Sequence, residues 1–247
     1  MADPQPDRPE PTVPEGRASA RGLAGLPDPV ALVFDLDGTL VDTVERRIEG
    51  WLETFAEVGV PAEREHVATL IGADGKRLAQ EVAAVAGRQL DLDRAEAIDR
   101  RAGEIYGQLN VDPRPLPGVR PLLRALDSAN ARWAIATSSR PEQVMTSVDA
   151  LGLARQPLII DGSHVRHAKP APDLLLLSAE QLDTSPRLCW YVGDATWDML
   201  AARAANMVAI GIPSGAASRE SLLSAGASAV ASMRSLAADL HRRGLTG

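Results

Sequence analysis

The chain has 247 residues and a formal net charge of −7, enough length for one or two domains with a full core. An acidic balance without a basic run argues against a nucleic-acid-binding role. A single cysteine excludes an intrachain disulfide and no apolar stretch reaches membrane-spanning length, so no membrane role and a reducing cytoplasm are expected.

Residues 1–29 hold seven prolines among charged and small residues. So little apolar surface cannot offset the ordering entropy, which predicts a disordered tail and a folded part beginning near Val30. Val30-Ala31-Leu32-Val33-Phe34 is an unbroken apolar run suited to a central strand of a parallel sheet. Asp35 then stands at the carboxyl end of that strand, where open α/β sheets place their ligands. Asp37 points into the same crevice if the chain stays extended through Leu36. Gly38 permits a sharp turn, and Thr39 offers a hydroxyl and an amide to an anion. Two carboxylates this close suit a hard metal ion, with one left to attack an electrophile.

After Thr43 the pattern becomes helical, with Trp51, Leu52, Phe55 and Val58 in phase until Gly59-Val60-Pro61 stops it. Trp51 and Phe55 read as core, and Arg46 and Arg47 as solvent-facing rather than cleft-facing. Further helices are predicted over 63–71, 76–87 and 92–109, with no strand among them. The proline-rich run from Val111 to Gly118 is a rigid breaker and marks a boundary. Beyond it, strands at 133–136, 158–160, 188–192, 207–210 and near 229–231 alternate with helices over 141–151, 171–182 and 196–205. Cys189, inside one of these strands, reads as a buried small hydrophobe. The alternation predicts an α/β fold, a doubly wound, Rossmann-like parallel sheet with right-handed crossovers. The core would comprise 30–43 and 117–247, with an all-helical cap domain inserted over 44–116.

Four strand ends carry polar residues. Asp35 and Asp37 follow the first, and Thr137-Ser138-Ser139 the second, where hydroxyls and helix-start amides can hold a phosphate. The third leads to Lys169-Pro170-Ala171-Pro172-Asp173, and the fourth to Gly193-Asp194-Ala195-Thr196-Trp197-Asp198. Two carboxylate pairs, a hydroxyl and a lysine on one sheet edge make a phosphate-and-magnesium site. Lysine usage points the same way, since Lys76 and Lys169 are the only lysines beside 24 arginines. Where arginine is the default cation, a lysine marks a need for a compact ammonium.

With these motifs in this order, from about Val30 to the C-terminus, the chain resembles haloacid-dehalogenase-superfamily phosphohydrolases. The likeness is to the subfamily whose helical cap follows the first strand, the relatives of phosphoglycolate phosphatase and β-phosphoglucomutase. The resemblance implies that Asp35 is a nucleophile forming a phosphoaspartyl intermediate, and that Asp37 is the general acid and then base. It implies Mg2+ bound by Asp35, the backbone carbonyl of Asp37, and Asp194. Thr137 and Lys169 would hold the phosphoryl group, and Asp198 would orient Lys169 or a water on the metal. Thr43 stands where serine is commoner in the family, and the loop before Lys169 is less acidic than in many relatives. The loop holding Gly72, Asp74, Gly75 and Lys76 resembles the family's substrate-facing cap loop; its plain alternative is a helix connection with Asp74 as N-cap.

A magnesium-dependent phosphatase acting on a small phosphorylated metabolite is therefore expected. The alternatives are a phosphosugar mutase and, from another class, a catalytically idle binding or regulatory module. An idle relative predicts the loss of Asp35, Asp37, Lys169 or Asp194, and all four are present. Oligomeric state is not legible.

Overall fold

A computed structural model describes residues 22–246. Strand β1 (Ala31–Phe34) is buried along its whole length. The chain then leaves the sheet for four consecutive helices: α1 (Val44–Glu57), α2 (Arg64–Leu70), α3 (Gly75–Val85) and α4 (Leu92–Leu109). It returns through α5 (Val119–Ser128), β2 (Arg132–Ala136), α6 (Pro141–Ala150) and β3 (Leu158–Ile160). There follow α7 (Asp173–Gln181), β4 (Cys189–Gly193), α8 (Thr196–Ala204), β5 (Val208–Gly211), α9 (Arg219–Ser224), β6 (Ala229–Val230) and α10 (Met233–Arg242). The strands form one parallel sheet in the order β3-β2-β1-β4-β5-β6, so the chain winds outward from β1 in both directions. β1 lies between β2 and β4, with Phe34 in register with Ile135 and Val192. Three strand ends thus open at one level beside Asp35, the topological switch point where such sheets bind ligands.

The strand's alternation sorts its side chains into two cores. Leu32 and Phe34 pack with Leu122 and Leu126 of α5 and Leu236 and Leu240 of α10. Ala31 and Val33 face the opposite layer, against Leu174 and Leu175 of α7 and Met199 and Ala202 of α8. Helices α1–α4 enclose a third core, in which Ile48, Trp51 and Phe55 meet Val67, Leu78, Val82 and Ile98. This helical layer lies over the strand ends. The two chain segments linking it to the sheet pair with each other: Asp42 N–H donates to the Arg114 carbonyl at 2.8 Å and Leu116 N–H to that of Leu40 at 2.9 Å.

Helices α5, α9 and α10 go beyond the sequence expectation. Val119, Leu122, Leu123 and Leu126 of α5 and Met233, Leu236 and Leu240 of α10 keep helical phase and are buried, a pattern eclipsed in α5 by the preceding breaker. Six-residue α9 is too short for periodicity to reveal. Among the described residues, no helix is long and apolar enough to cross a membrane.

The expected disordered tail needs a correction at its end. Residues 1–21 lie outside the described residues, but Leu23 and Leu26 pack on the first core. Arg243 of the C-terminal segment donates to the carbonyls of Leu23 at 2.6 Å and Leu26 at 3.1 Å, pairs with Asp28, and covers the Trp190 ring at 4.9 Å. Trp190 Nε1 donates to the Pro27 carbonyl at 3.0 Å. Proline there limits secondary structure without preventing packing. Arg243→Ala should therefore cost about 1–3 kcal/mol and expose residues 22–28 to limited proteolysis. Unchanged protease resistance would show that the apolar contacts alone hold the segment.

Candidate active site

Asp35 leaves β1 in strand geometry, its N–H still donating to the Val192 carbonyl at 2.8 Å. The chain then turns tightly, with Gly38 N–H on the Val41 carbonyl and Leu40 and Val41 N–H on that of Leu36. Gly38 has φ +81°, and a Cβ there would lie 2.4 Å from Asp194 Oδ2, so a side chain is excluded by both conformation and space. The turn delivers Thr39, whose hydroxyl donates to Asp194 Oδ1 at 2.8 Å. Thr137 continues β2, its N–H on the Ile160 carbonyl at 3.0 Å, while its Oγ1 accepts from Ser139 N–H at 3.1 Å.

Lys169 is fully buried and joins the strand ends. Its Nζ donates to Asp35 and, at 2.9 Å, to Asp198 Oδ1. Asp198 also accepts from the Tyr191 hydroxyl at 2.9 Å and, through Oδ2, from Ala195 N–H at 2.9 Å. Both its oxygens are thus engaged, and it acts as the fixed counter-charge that aims the ammonium. Burial lowers the Lys169 pKa, but Asp198 and Asp35 outweigh that and hold it above its ordinary value. Burial pushes Asp35 well above the carboxylate range, and Lys169 only partly offsets it. Asp194 is raised to about 7, first by burial and then by Asp198, against the Ala216 N–H and the Thr39 hydroxyl.

Two buried carboxylates raised together mark a deficit of positive charge. Oxygens of Asp35, Asp194 and Asp198 lie within 4.8 Å of one another. Among the described residues, Asp198 takes three donors, Asp194 one on each oxygen from Thr39 and the Ala216 N–H, and Asp35 only Lys169, so Asp35 and Asp194 keep the more open lone pairs and are the available acidic donors. The Asp37 carbonyl accepts no hydrogen bond among the described residues, which leaves it as a third oxygen. Such an all-oxygen set fits a hard divalent cation.

Asp37 is held differently. Its Oδ1 accepts from Thr43 Oγ1 at 2.7 Å and the Tyr106 hydroxyl at 3.1 Å; its Oδ2 accepts from Arg47 Nη2 and Ser139 Oγ, both at 2.8 Å. Burial raises its pKa, but Arg47 and the hydroxyls of Thr43 and Ser139 leave it below the ordinary carboxylate value. Arg47 corrects the sequence expectation. Its guanidinium stacks on Tyr106 at 3.6 Å, reaches Gln143 Oε1 at 2.7 Å, and faces the cleft rather than solvent. Arg46, by contrast, folds back on the Asp42 carbonyl.

The cleft between the layers holds ≈ 60 Å3, room for a few waters, and is lined by Asp35, Asp37, Arg47, Thr137, Ser138 and Lys169, among others. From the helical layer, Gly72 and Gly75 reach this space, and Trp51 serves as both core and wall. Asp74 caps α3, accepting from Lys76 N–H at 3.0 Å and Arg77 N–H at 3.3 Å, while its own N–H donates to the Lys169 carbonyl at 2.9 Å. Lys76 turns aside toward Asp74 and Glu96, at 3.6 and 3.7 Å, and lines an adjoining cavity. The sequence reading passed over Tyr106 and Gln143, together with Asp99 and Arg140 at the cavity wall; Ser139, expected beside a phosphate, bonds Asp37 and Arg47.

A family model described as haloacid dehalogenase-like hydrolase matches residues 32–212. The fructose-1-phosphate phosphatase YqaB of Escherichia coli is 31% identical over 185 residues, covering 73% of this chain and 95% of that protein. The β-phosphoglucomutase of Bacillus subtilis is 29% identical over 197 residues, covering 75% and 84%. Among solved structures, a hydrolase from Pseudomonas syringae superposes with a TM-score of 0.80 at 30% identity, covering 88% of this chain and 100% of that one. The chain belongs to the haloacid dehalogenase-like hydrolase family.

Proposed function

We propose that the protein is a magnesium-dependent phosphatase that hydrolyses small phosphorylated metabolites through an aspartyl-phosphate. The fully buried Lys169, bridging Asp35 and Asp198 beside Asp194, carries this assignment. A carboxylate approaches a phosphate dianion only where positive charge cancels the repulsion. Magnesium, held by Asp35, Asp194 and the Asp37 carbonyl, would supply part of that charge, and Lys169 the rest.

Asp35 attacks phosphorus, and the bond from phosphorus to the leaving oxygen breaks. Arg47 and the hydroxyls around Asp37 hold it ionised, so it first takes up a proton from solvent; it then delivers that proton to the leaving oxygen, and the alcohol departs. Asp37 then takes a proton from water, which attacks phosphorus, releases inorganic phosphate and restores the Asp35 carboxylate. Thr137 and Ser138, with the amides following β2, hold the phosphoryl oxygens, as do Gly38 and Thr39 at the turn. The loop bearing Gly72, Asp74, Gly75 and Lys76 closes the site over the leaving group. Retention of Asp35, Asp37, Lys169 and Asp194 together argues against an idle module.

Release of phosphate from p-nitrophenyl phosphate with magnesium, and its loss on chelation, tests the activity; no release from folded protein on this or a metabolite panel sinks it. Magnesium at about 100 times its Kd should stabilise the fold by about 2.7 kcal/mol, a rise of about 5–10 °C in Tm. Asp194→Asn should remove that rise. An equal rise in the variant places the ion elsewhere.

A further inference from the structure

The cleft over Asp35 and Lys169, where the phosphoryl group would lie, is the narrower of two adjoining spaces. A second cavity of ≈ 400 Å3 adjoins it, and the two share Gly75, Asp99 and Ser138 as a common wall. Its charged lining comprises the carboxylates of Asp74, Glu96, Asp99 and Glu142 and the cations of Lys76 and Arg140. Both cations are already paired. Arg140 Nη2 donates to Glu96 Oε1 at 2.6 Å and Asp99 Oδ2 at 2.7 Å, and Lys76 sits between Asp74 and Glu96. An anion entering here meets surplus carboxylates and no uncommitted cation.

Asp99 stands where the cavities join. Its Oδ2 serves Arg140, while Oδ1 accepts no hydrogen bond among the described residues. The space that Oδ1 occupies exists because residue 75 is glycine: a Cβ there would lie 1.9 Å from it. A carboxylate oxygen with open lone pairs, on a residue that an arginine fixes and that lines a polar cavity, is an acceptor for a hydroxyl.

We infer that the larger cavity receives the alcohol half of the phosphomonoester, and that Asp99 selects a neutral, hydroxyl-rich alcohol, as in sugar and polyol phosphates. Esters whose alcohol carries a carboxylate or a second phosphate are rejected. This rests on the phosphatase activity proposed above, at the same site.

Glycerol 3-phosphate and 3-phosphoglycerate form a matched pair, differing by a hydroxymethyl group in place of a carboxylate. For the intact protein with magnesium, kcat/KM should favour glycerol 3-phosphate by at least roughly tenfold, as one charge-assisted hydrogen bond allows. Asp99→Asn keeps an acceptor for Arg140 and turns an amide toward the cavity. The two substrates should then move in opposite directions, glycerol 3-phosphate falling roughly tenfold and 3-phosphoglycerate rising. A merely structural Asp99 would lower both alike, and that outcome overturns the inference. So does a wild-type preference for 3-phosphoglycerate, or a higher kcat/KM on phosphoethanolamine, which would make the cavity an ammonium site. Gly75→Ala, which displaces Oδ1 without removing it, should weaken the preference by the same route; an unchanged ratio counts against Asp99. Hydrolysis of p-nitrophenyl phosphate by the wild type separates the failures: if it proceeds, only the substrate class is wrong, and if it does not, the phosphatase reading falls as well.

Discussion

Asp35→Asn is expected to reduce turnover by about 10^4-fold or more while the protein stays folded, as the loss of a nucleophile does elsewhere. An amide cannot attack phosphorus. It can still accept from Lys169 through its oxygen, so the buried ammonium keeps two partners and the core is not left with an orphaned charge. The substitution also removes a carboxylate whose charged form is disfavoured by burial and by Asp198, Asp194 and Asp37, though favoured by Lys169. The apo variant should therefore melt no lower than the wild type even as activity disappears. Residual turnover within tenfold of wild type would contradict the nucleophile assignment.

Asp37→Asn should be selective where Asp35→Asn is not. Removing the proton donor should cost alkyl phosphates about 10²–10⁴-fold, and p-nitrophenyl phosphate far less, because its leaving group departs without a proton. Asp37 receives four donors on two oxygens, two of them on each. An asparagine presents an NH2 to one of those pairs, and loosened docking of α1 through Arg47 or α4 through Tyr106 should follow. Equal losses on activated and alkyl esters would remove the support for Asp37 as the acid.

The strand ends were legible because each follows an apolar run, and a parallel sheet places all such ends on one edge. Asp35, Thr137, Asp194 and Asp198, with Lys169 beyond a loop, could be placed on that edge from chain order, their roles coming from the family resemblance, and the structure brings them together. Residues that reach the site from the helical layer could not. Arg47 lies between buried Val44 and Ile48, and local periodicity does not say which flank of α1 meets the sheet. Asp99 and Arg140 are 41 positions apart and gain meaning only when α4 settles over the loop after β2. The same limit applied to Leu23, whose partner Arg243 lies 220 residues downstream. Lys76 shows the converse: a scarce residue type drew notice, yet its ammonium is committed to two neighbouring carboxylates.

The paired segments at Asp42 and Arg114 make the helical insertion, as seen from the sheet, nothing more than a long loop with touching ends. Strands paired in this way stand about 5 Å apart, and the entropy of closing a loop depends on its ends and only weakly on its length. A foreign block of helices with similarly spaced termini would graft between these two positions at little additional cost. Its interior need match nothing in the sheet beyond the surface above Asp35. Inheritance of the reaction and inheritance of substrate taste are thereby uncoupled, and a lineage can trade the second while keeping the first.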